Sequence, residues 1–482
     1  MPQINRSSRI LRNLAPWPLK QGLKYLWGAI PLSIRYGPEF RRTLAFLRSS
    51  QWWGRRDLEE YQKSRLVEII VDAYDRVPFY REAFRRAGIR RELIRGPEIL
   101  NDIPPIDRQV VAAQGTRMIA EGTRRGMIRI TTGGTSGERL ELVTRKKHRM
   151  AEQAFVFDLW GRVGFTQRSK RAVLRGNVVL SDRYRRTWKI DPLRKELLLS
   201  SYHLDEGNLA LYVDRIKHYW PDYVHCYPSV IVPLARFIEQ RGIVGLPPFK
   251  AVLASSENTF PGQRELVERV FRCRYFDLYG QSEQVAMAGE CEVSGNYHLY
   301  PQYGYTELID ARGRRVTEEG GEGEIVATGF INTAMPLIRY RTGDWAVLGK
   351  PECSCGRHYP ILESIRGRRD QESVVGRSGA VIPLAMGHNA SGIYNRVKQY
   401  QFRQERPGEL RLTLVRDEGY LDADTEAIRR ELVGLLGGEV DLVIRFADEI
   451  PRTRNGKFVY FVRSHLSPQS KPATSKRFLE SV

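Results

Sequence analysis

From about residue 127 the chain alternates short apolar runs with stretches of helical period, and no other feature limits its fold so sharply. MIRIT precedes a glycine-rich loop, DYVHCY precedes the helix-patterned SVIVPLARFIEQRG, KAVLAS precedes PGQRELVERVF, and YFDLYG follows. Parallel strands of one sheet need a crossover, and the crossover is usually a helix. The alternation therefore predicts α/β layers with largely parallel pairing.

The flanks carry other patterns. From Asp57 to about Ala87, the residues Leu58, Tyr61, Leu66, Ile69, Ile70 and Ala73 recur at helical spacing until Pro78 interrupts the run. Between residues 304 and 350, YTELI, GEIVATG and WAVLG are separated by the turn-rich DARGR and EEGGEG, which predicts hairpins or a small barrel. After a boundary at Arg366–Asp370, the chain reads strand (VKQYQF), strand (LRLTLV), helix (AIRRELVGLLG), strand (VDLVIRF). A chain of 482 residues exceeds one typical domain of ~100–200. The fold class expected is α/β: a large multi-layer N-terminal domain over 1–367 and a small, mobile α+β C-terminal domain over 368–466. A polar, flexible tail spans 467–482.

Composition narrows the class. The 41% hydrophobic and 28% charged shares fit a soluble globular protein. No apolar run reaches the ~18 residues of a transmembrane span, and no secretory leader is evident. Five cysteines are too few for a disulfide scaffold, so a reducing cytoplasm is expected. Cys226 and Cys273 fall in predicted strands and read as core. The net charge of +21 serves general solubility or attracts a polyanion: a nucleotide, an anionic membrane surface or nucleic acid. No nucleic-acid fold signature accompanies it. Within a lead segment over 1–56, the stretch from Ile10 to Tyr36 interleaves Leu11, Leu14, Trp17, Leu19, Leu23, Tyr25, Leu26 and Trp27 with Arg12, Lys20, Lys24 and Arg35. Such a basic amphipathic segment lies at a lipid interface, giving peripheral membrane contact, or docks on its own domain. Nothing in the sequence sets the oligomeric state.

Five short motifs offer chemistry. The loop Thr131-Thr132-Gly133-Gly134-Thr135-Ser136-Gly137 combines glycines, which let backbone N–H groups turn toward an anion, with four hydroxyl donors. It lacks the Gly-Lys-Ser/Thr ending of an ordinary P-loop, and a plain surface turn is as common. Asp277-Leu278-Tyr279-Gly280-Gln281-Ser282-Glu283 ends a predicted strand. There a ring could stack on a base and an acid could hold Mg²⁺, or Ser282 and Glu283 simply cap a helix. Tyr340-Arg341-Thr342-Gly343-Asp344 offers a carboxylate for the hydroxyls of a ribose, or a turn. Arg366-Gly367-Arg368-Arg369-Asp370 is a basic turn at the domain boundary, and Pro451-Arg452-Thr453-Arg454-Asn455-Gly456-Lys457 ends in a lysine on a glycine turn. As a point charge that lysine could neutralise a developing phosphate anion.

In this order and over this span, the motifs TTGGTSG, YGQSE, YRTGD, RGRRD and PRTRNGK resemble those of the adenylate-forming superfamily of acyl-CoA synthetases and adenylation domains. The chain is most similar to its phenylacetate–CoA ligase-like branch, which includes capsular polysaccharide relatives. The resemblance implies ATP and Mg²⁺ as cofactors, CoA as co-substrate, and a small-molecule carboxylate activated as an acyl-AMP. It implies ATP phosphates at Thr132, Gly133, Gly134, Thr135, Ser136 and Gly137. It places adenine near Tyr279 and Gly280, phosphate near Ser282 and Mg²⁺ at Glu283. Ribose falls to Asp344 and Arg368, the hinge to Asp370, and promotion of adenylation to Lys457. Many relatives carry Pro and Lys after the glycine-rich loop, where this chain has Glu138, Arg139 and Leu140. Ser255, Ser256 and Glu257 resemble a segment bordering the nucleotide and acyl pocket, and His225 and Tyr227 another pocket-lining segment. Phe155, Phe157 and Trp160 follow the glycine-rich loop on a predicted helix and either line the acyl pocket or pack the core.

Cys353 and Cys355, with Cys291 and His298 upstream, make a Cys₃His set of the composition of a structural zinc site, or are free thiols. Some members of the branch resemble the chain here. Two further readings stay open: transfer of the acyl group to an amine, sugar or carrier in surface polysaccharide biosynthesis, and a catalytically inactive scaffold.

Overall fold

In a computed structural model the apolar runs of the central chain become strands of one sheet. The structure describes residues 32–123, 126–131, 140–176, 186–260, 262–367, 373–383, 394, 396–452 and 458–463. The glycine-rich residues Thr132 to Gly137 with Glu138 and Arg139, the Arg368 to Asp370 turn, Lys457, the tail over 467–482 and residues 1–31 of the lead segment lie outside them.

Helix α1 (Leu32–Ser50) kinks at Gly37, whose φ of 87° falls in the left-handed region that glycine tolerates. Helix α2 (Arg55–Arg76) buries Leu58, Leu66, Ile69, Ile70 and Ala73, as its spacing predicts. Pro78 ends it as expected and opens α3 (Pro78–Arg86), where a missing N–H costs nothing. Then come α4 (Arg108–Gln114), the antiparallel pair β1 (Met127–Thr131) and β2 (Glu141–Arg145), and α5 (Lys146–Gly161).

The central layer follows. Its elements are β3 (Arg171–Leu174), β4 (Trp188–Asp191), β5 (Glu196–Leu199), α6 (Glu206–Tyr219), β6 (Tyr223–Cys226), α7 (Pro228–Gln240), β7 (Ala251–Ser255), α8 (Gln263–Phe271) and β8 (Arg274–Gly280). The pairs β5–β3, β3–β6, β6–β7 and β7–β8 are all parallel. Every residue of β6 and β7 is buried, because helices cover both faces. On one face α6, α7 and α8 supply Tyr212, Val230, Ile231 and Val267. On the other, α1 and α5 supply Phe40, Leu47, Phe155, Phe157 and Trp160. Cys226 is core as expected, but half-buried Cys273 lies in the turn before β8 rather than in a strand.

The strand-rich stretch forms hairpins but no separate barrel. Strands β9 (Met287–Glu290), β10 (Tyr297–Leu299), β11 (Gly304–Ile309), β12 (Glu322–Gly329), β13 (Tyr340–Leu348) and β14 (Ile361–Arg366) extend the central layer. The order is β11-β12-β13-β14-β10-β9-β8-β7-β6-β3-β5-β4, twelve strands in one sheet. Because β9 pairs with β8 and β10 with β14, the hairpins continue the central sheet and leave β11 as its edge strand.

The C-terminal domain has its own core of Phe402, Leu410, Leu412, Leu414, Ile428, Leu432 and Phe461. A small β15–β16 hairpin (Ser373–Val375, Val381–Pro383) precedes β17 (Val397–Gln404) and β18 (Glu409–Arg416), followed by α9 (Asp422–Leu436) and β19 (Asp441–Phe446). Three strands of this domain have no sequence forecast: β15, β16 and β20 (Phe461–Arg463), the last parallel to β17 in the order β19-β18-β17-β20. Among the described residues no helix is long and apolar enough to cross a membrane.

Candidate active site

Strands β3, β6, β7 and β8 end on the same side of the sheet. In open α/β sheets the crevice outside the carboxyl ends of parallel strands is the usual ligand site. Here it is a cavity of about 620 Å³, lined among others by Arg175 after β3, Ser256 and Glu257 after β7, and Tyr279 to Glu283 at the end of β8. Asp344 reaches it from β13, Gly367 from the domain boundary, and Phe458 to Phe461 from the C-terminal domain. Three of the five sequence motifs thus reach one cavity through described residues, and Phe458, which also lines it, is next in the chain to Lys457 of a fourth.

Asp344 reaches the cavity through a bulge. Strand β12 pairs Glu324 with Trp345 and Val326 with Arg341, so Thr342, Gly343 and Asp344 face the single residue Ile325. The Thr342 hydroxyl donates to the Ile325 carbonyl at 2.8 Å, Gly343 N donates to Glu324 Oε1 at 3.2 Å, and Arg341 pairs with Glu324. Gly343 adopts φ 80°, open to few residues other than glycine. The Thr-Gly-Asp sequence is therefore a backbone device that swings one carboxylate out of the ladder. Tyr279 meets it: its hydroxyl donates to Asp344 Oδ2 at 2.9 Å and accepts from Gln281 Nε2 at 2.9 Å. Burial, then the Asp344 charge, push the Tyr279 phenol well above its ordinary range, so it stays a donor.

Glu283 is 6% exposed and accepts from the Tyr340 hydroxyl at 3.3 Å. Next to it Gln284 sits at φ 58°, and across the cavity Ser256 sits at φ 70°. Neither is glycine, and such conformations persist only where the surroundings hold them. Gln284 is held by Thr144 and Glu152, and the Ser256 hydroxyl by Arg175 at 2.6 Å.

Several expectations change place. His225 and Tyr227 do not line the cavity. They stand behind Arg175, which donates to His225 Nε2 at 3.1 Å and lies 5.3 Å from the Tyr227 ring centroid. Burial first, then Arg175 and Arg171, hold His225 neutral. Ser255 is buried beneath the cavity wall, while Ser256 and Glu257 line it. Phe155, Phe157 and Trp160 are core. In their place α5 turns Arg149, Glu152, Gln153 and Val156 toward the cavity. Their i, i+3, i+4, i+7 spacing was readable, but the aromatic stripe on the same helix is the louder signal. Arg175 carries no sequence signal, since only the sheet brings it near Ser256.

The C-terminal domain docks beside the cavity. Arg452 donates to the Ser229 hydroxyl at 2.8 Å and carbonyl at 2.7 Å. Glu257 accepts from Ser229 N at 2.9 Å and from Phe458 N at 3.1 Å. Phe260 packs edge-on against Tyr460, with centroids 4.8 Å apart. Burial raises the Glu257 carboxyl, and the Ser229 bonds and the Arg452 charge oppose it.

A second cluster lies apart from this cavity. The ligand atoms of Cys291, His298, Cys353 and Cys355 all lie within 4.8 Å of one another. Cys291 Sγ is 3.7 Å from Cys353 Sγ, and Cys355 Sγ is 3.4 Å from His298 Nε2. A tetrahedron with Zn–S near 2.3 Å has edges of roughly 3.8 Å, so the donor set fits zinc. Val293 N and Arg357 N point at Cys291 Sγ and Cys355 Sγ, at 3.3 and 3.5 Å. The cluster pins the β9–β10 hairpin to the 353–357 loop, and Arg357 carries the tie to Gln51, Glu292 and the Trp52 ring.

Comparison with known proteins gives a consistent picture. Residues 374–464 match the model of the CapK C-terminal domain. The chain is 23% identical to Protein CapK of Staphylococcus aureus, over 89% of this chain and 93% of that one. It is 26% identical to a phenylacetate-coenzyme A ligase of Thermus thermophilus, over 74% of this chain and 80% of that one. The fold matches that of 2-hydroxyisobutyryl-CoA ligase in the postadenylation state, with a TM-score of 0.65, 18% identity, and 86% and 91% of the two chains covered. Against the same ligase in the thioesterification state the TM-score is 0.56, with 18% identity over 86% and 91%.

Proposed function

Because the chain is a member of the adenylate-forming superfamily, in its phenylacetate–CoA ligase-like branch, we propose that it activates a carboxylic acid with ATP and passes the acyl group to CoA. The observation that carries this reading is the Tyr279–Asp344 pair beside Glu283, in one cavity that the C-terminal domain closes through Phe458.

The roles of Tyr279, Asp344 and Glu283 are read from their positions, and those of Thr132 to Gly137, Asp370 and Lys457 from the family resemblance. The substrate carboxylate attacks the α-phosphorus of ATP, an O–P bond forms, and pyrophosphate leaves with the electron pair. Tyr279 and Asp344 orient the nucleoside, Asp344 as acceptor for the ribose hydroxyls. Glu283 would hold Mg²⁺, which neutralises charge on the triphosphate when bound. The Thr132 to Gly137 loop offers donors to the leaving pyrophosphate, and Lys457 stabilises charge at the α-phosphate. Release of the Arg452 and Glu257 contacts, with rotation about Asp370, then admits the CoA thiol, which displaces AMP from the acyl carbon. The Cys₃His set would hold a structural zinc ion. A variant of this reading keeps the first half-reaction and passes the acyl group to an amine, sugar or carrier in place of CoA.

The test is ATP–pyrophosphate exchange with a panel of acids. Acid-dependent exchange that falls at least 10²-fold in Lys457→Ala supports the reading, a loss of the size seen when a charge-stabilising group is removed. Absence of exchange with every acid would leave a non-catalytic role in its place. Product analysis with CoA and with amine acceptors decides the second half-reaction.

A further inference from the structure

The α5 wall of the cavity is built largely of polar groups. Arg149, Glu152, Gln153 and Val156 form one helical face and all line the cavity. Leu278 and Met287 lie on the same side of the sheet, packed with Val156 in one apolar cluster. Tyr279 follows Leu278 in β8 and points to the opposite face, as successive strand residues do. The cavity therefore has two sides: a nucleotide side around Tyr279 and Asp344, and an acyl side against α5.

On the acyl side Glu152 is fixed by a buried hydrogen-bond chain. Glu152 Oε1 accepts from the Tyr303 hydroxyl at 3.2 Å and Oε2 from Gln284 Nε2 at 2.8 Å. Gln284 Oε1 accepts from Thr144 at 3.1 Å, and Thr144 meets His148 at 3.5 Å. A carboxylate has about four lone-pair sites, so two protein donors leave Glu152 with acceptor capacity toward the cavity. A wholly apolar acid on this wall would strip water from Glu152 and Gln153 and return no bond. A site built to bond a substrate hydroxyl or N–H discriminates strongly against analogues that lack it.

We propose that the acid activated by this protein carries a hydrogen-bond donor, a hydroxyl or ammonium group close to its carboxyl, that Glu152 accepts with Gln153 beside it. Val156, Leu278 and Met287 then cover a short apolar remainder. The inference rests on the acyl-adenylate reading above and names the substrate class of that site.

The full-length protein is assayed by ATP–pyrophosphate exchange with four sets of acids: 2-hydroxy acids, 2-amino acids, unsubstituted aliphatic acids of equal length, and phenylacetate. A hydroxy or amino acid is expected to exceed its unsubstituted counterpart at least tenfold in kcat/KM, and the two arms identify the donor. Glu152→Gln should erase most of that ratio through KM for the polar acid, with KM for ATP unchanged. Gln153→Leu, which leaves the buried chain intact, should lower the same ratio severalfold and serves if Glu152→Gln does not fold. Preference for unsubstituted acids or phenylacetate, or an unchanged ratio in a folded variant, overturns the inference and leaves the adenylation reading standing. Absence of exchange with all four sets overturns both.

Discussion

Arg452 grips Ser229 twice, donating to its hydroxyl at 2.8 Å and to its carbonyl at 2.7 Å. Ser229 lies in the first turn of helix α7 of the large domain, while Arg452 belongs to the Pro-Arg-Thr-Arg-Asn-Gly-Lys motif of the small one. The residue pair therefore fastens the small domain to the large one beside the cavity.

Arg452→Ala should lower the adenylation half-reaction roughly tenfold or more, since bonds from a charged donor contribute ~1.5–3 kcal/mol. Thioester formation from preformed acyl-AMP should fall less, because that step needs the grip released. Separate rapid-quench measurements of the two half-reactions check this, and equal losses in both would refute a role specific to the closed state.

Tyr279→Phe removes the hydrogen bond to Asp344 and leaves the ring. The expected result is a five- to tenfold rise in KM for ATP, about 1–1.4 kcal/mol, with kcat little changed. Asp344→Ala should cost more, because it also removes the acceptor for ribose. Steady-state kinetics at varied ATP would show both, and a Tyr279→Phe enzyme with unaltered KM would separate the hydroxyl from nucleotide binding.

The Cys₃His cluster should copurify with one zinc ion per chain, measured by plasma mass spectrometry. Cys353→Ser should lose the metal and lower the melting temperature by several degrees, as the tie between the β9–β10 hairpin and the 353–357 loop slackens. Adenylation should outlast metal loss at low temperature, because no zinc-set residue lines the cavity. Metal-free protein with a wild-type melting temperature would remove zinc from the account.

His148 gives a pH signature. Burial, then Lys147 and Arg145, lower its pKa to about 4 from an ordinary 6.5. Between these values the unfolded chain binds a proton that the folded one does not, so stability falls as pH drops from 6.5 toward 4. The slope from this one group approaches but does not exceed ~1.4 kcal/mol per pH unit. Urea melts across that window should show a shallower slope for His148→Gln, and an identical slope would place the titration elsewhere.

The parallel core was legible because burial on both faces writes itself as continuous apolar runs, as in β6 and β7. The Thr-Gly-Asp sequence marks a turn and a candidate carboxylate, whereas the bulge that presents Asp344 depends on the pairing with β12. The motifs likewise point to nucleotide chemistry from the sequence alone. What only the tertiary structure decided depends on residues far apart in the chain. The sheet carries Arg175 to Ser256 and the docking of the small domain carries Arg452 to Ser229, across 81 and 223 positions. Similarly, Cys291 and Cys353 are 62 apart and meet only because β10 pairs with β14. The helical period of α5 was visible, but not which of its faces is buried, because that depends on where the sheet and α1 stand. Periodicity and turn chemistry are local and leave a mark in the sequence, whereas contact across the fold is set by packing and leaves none.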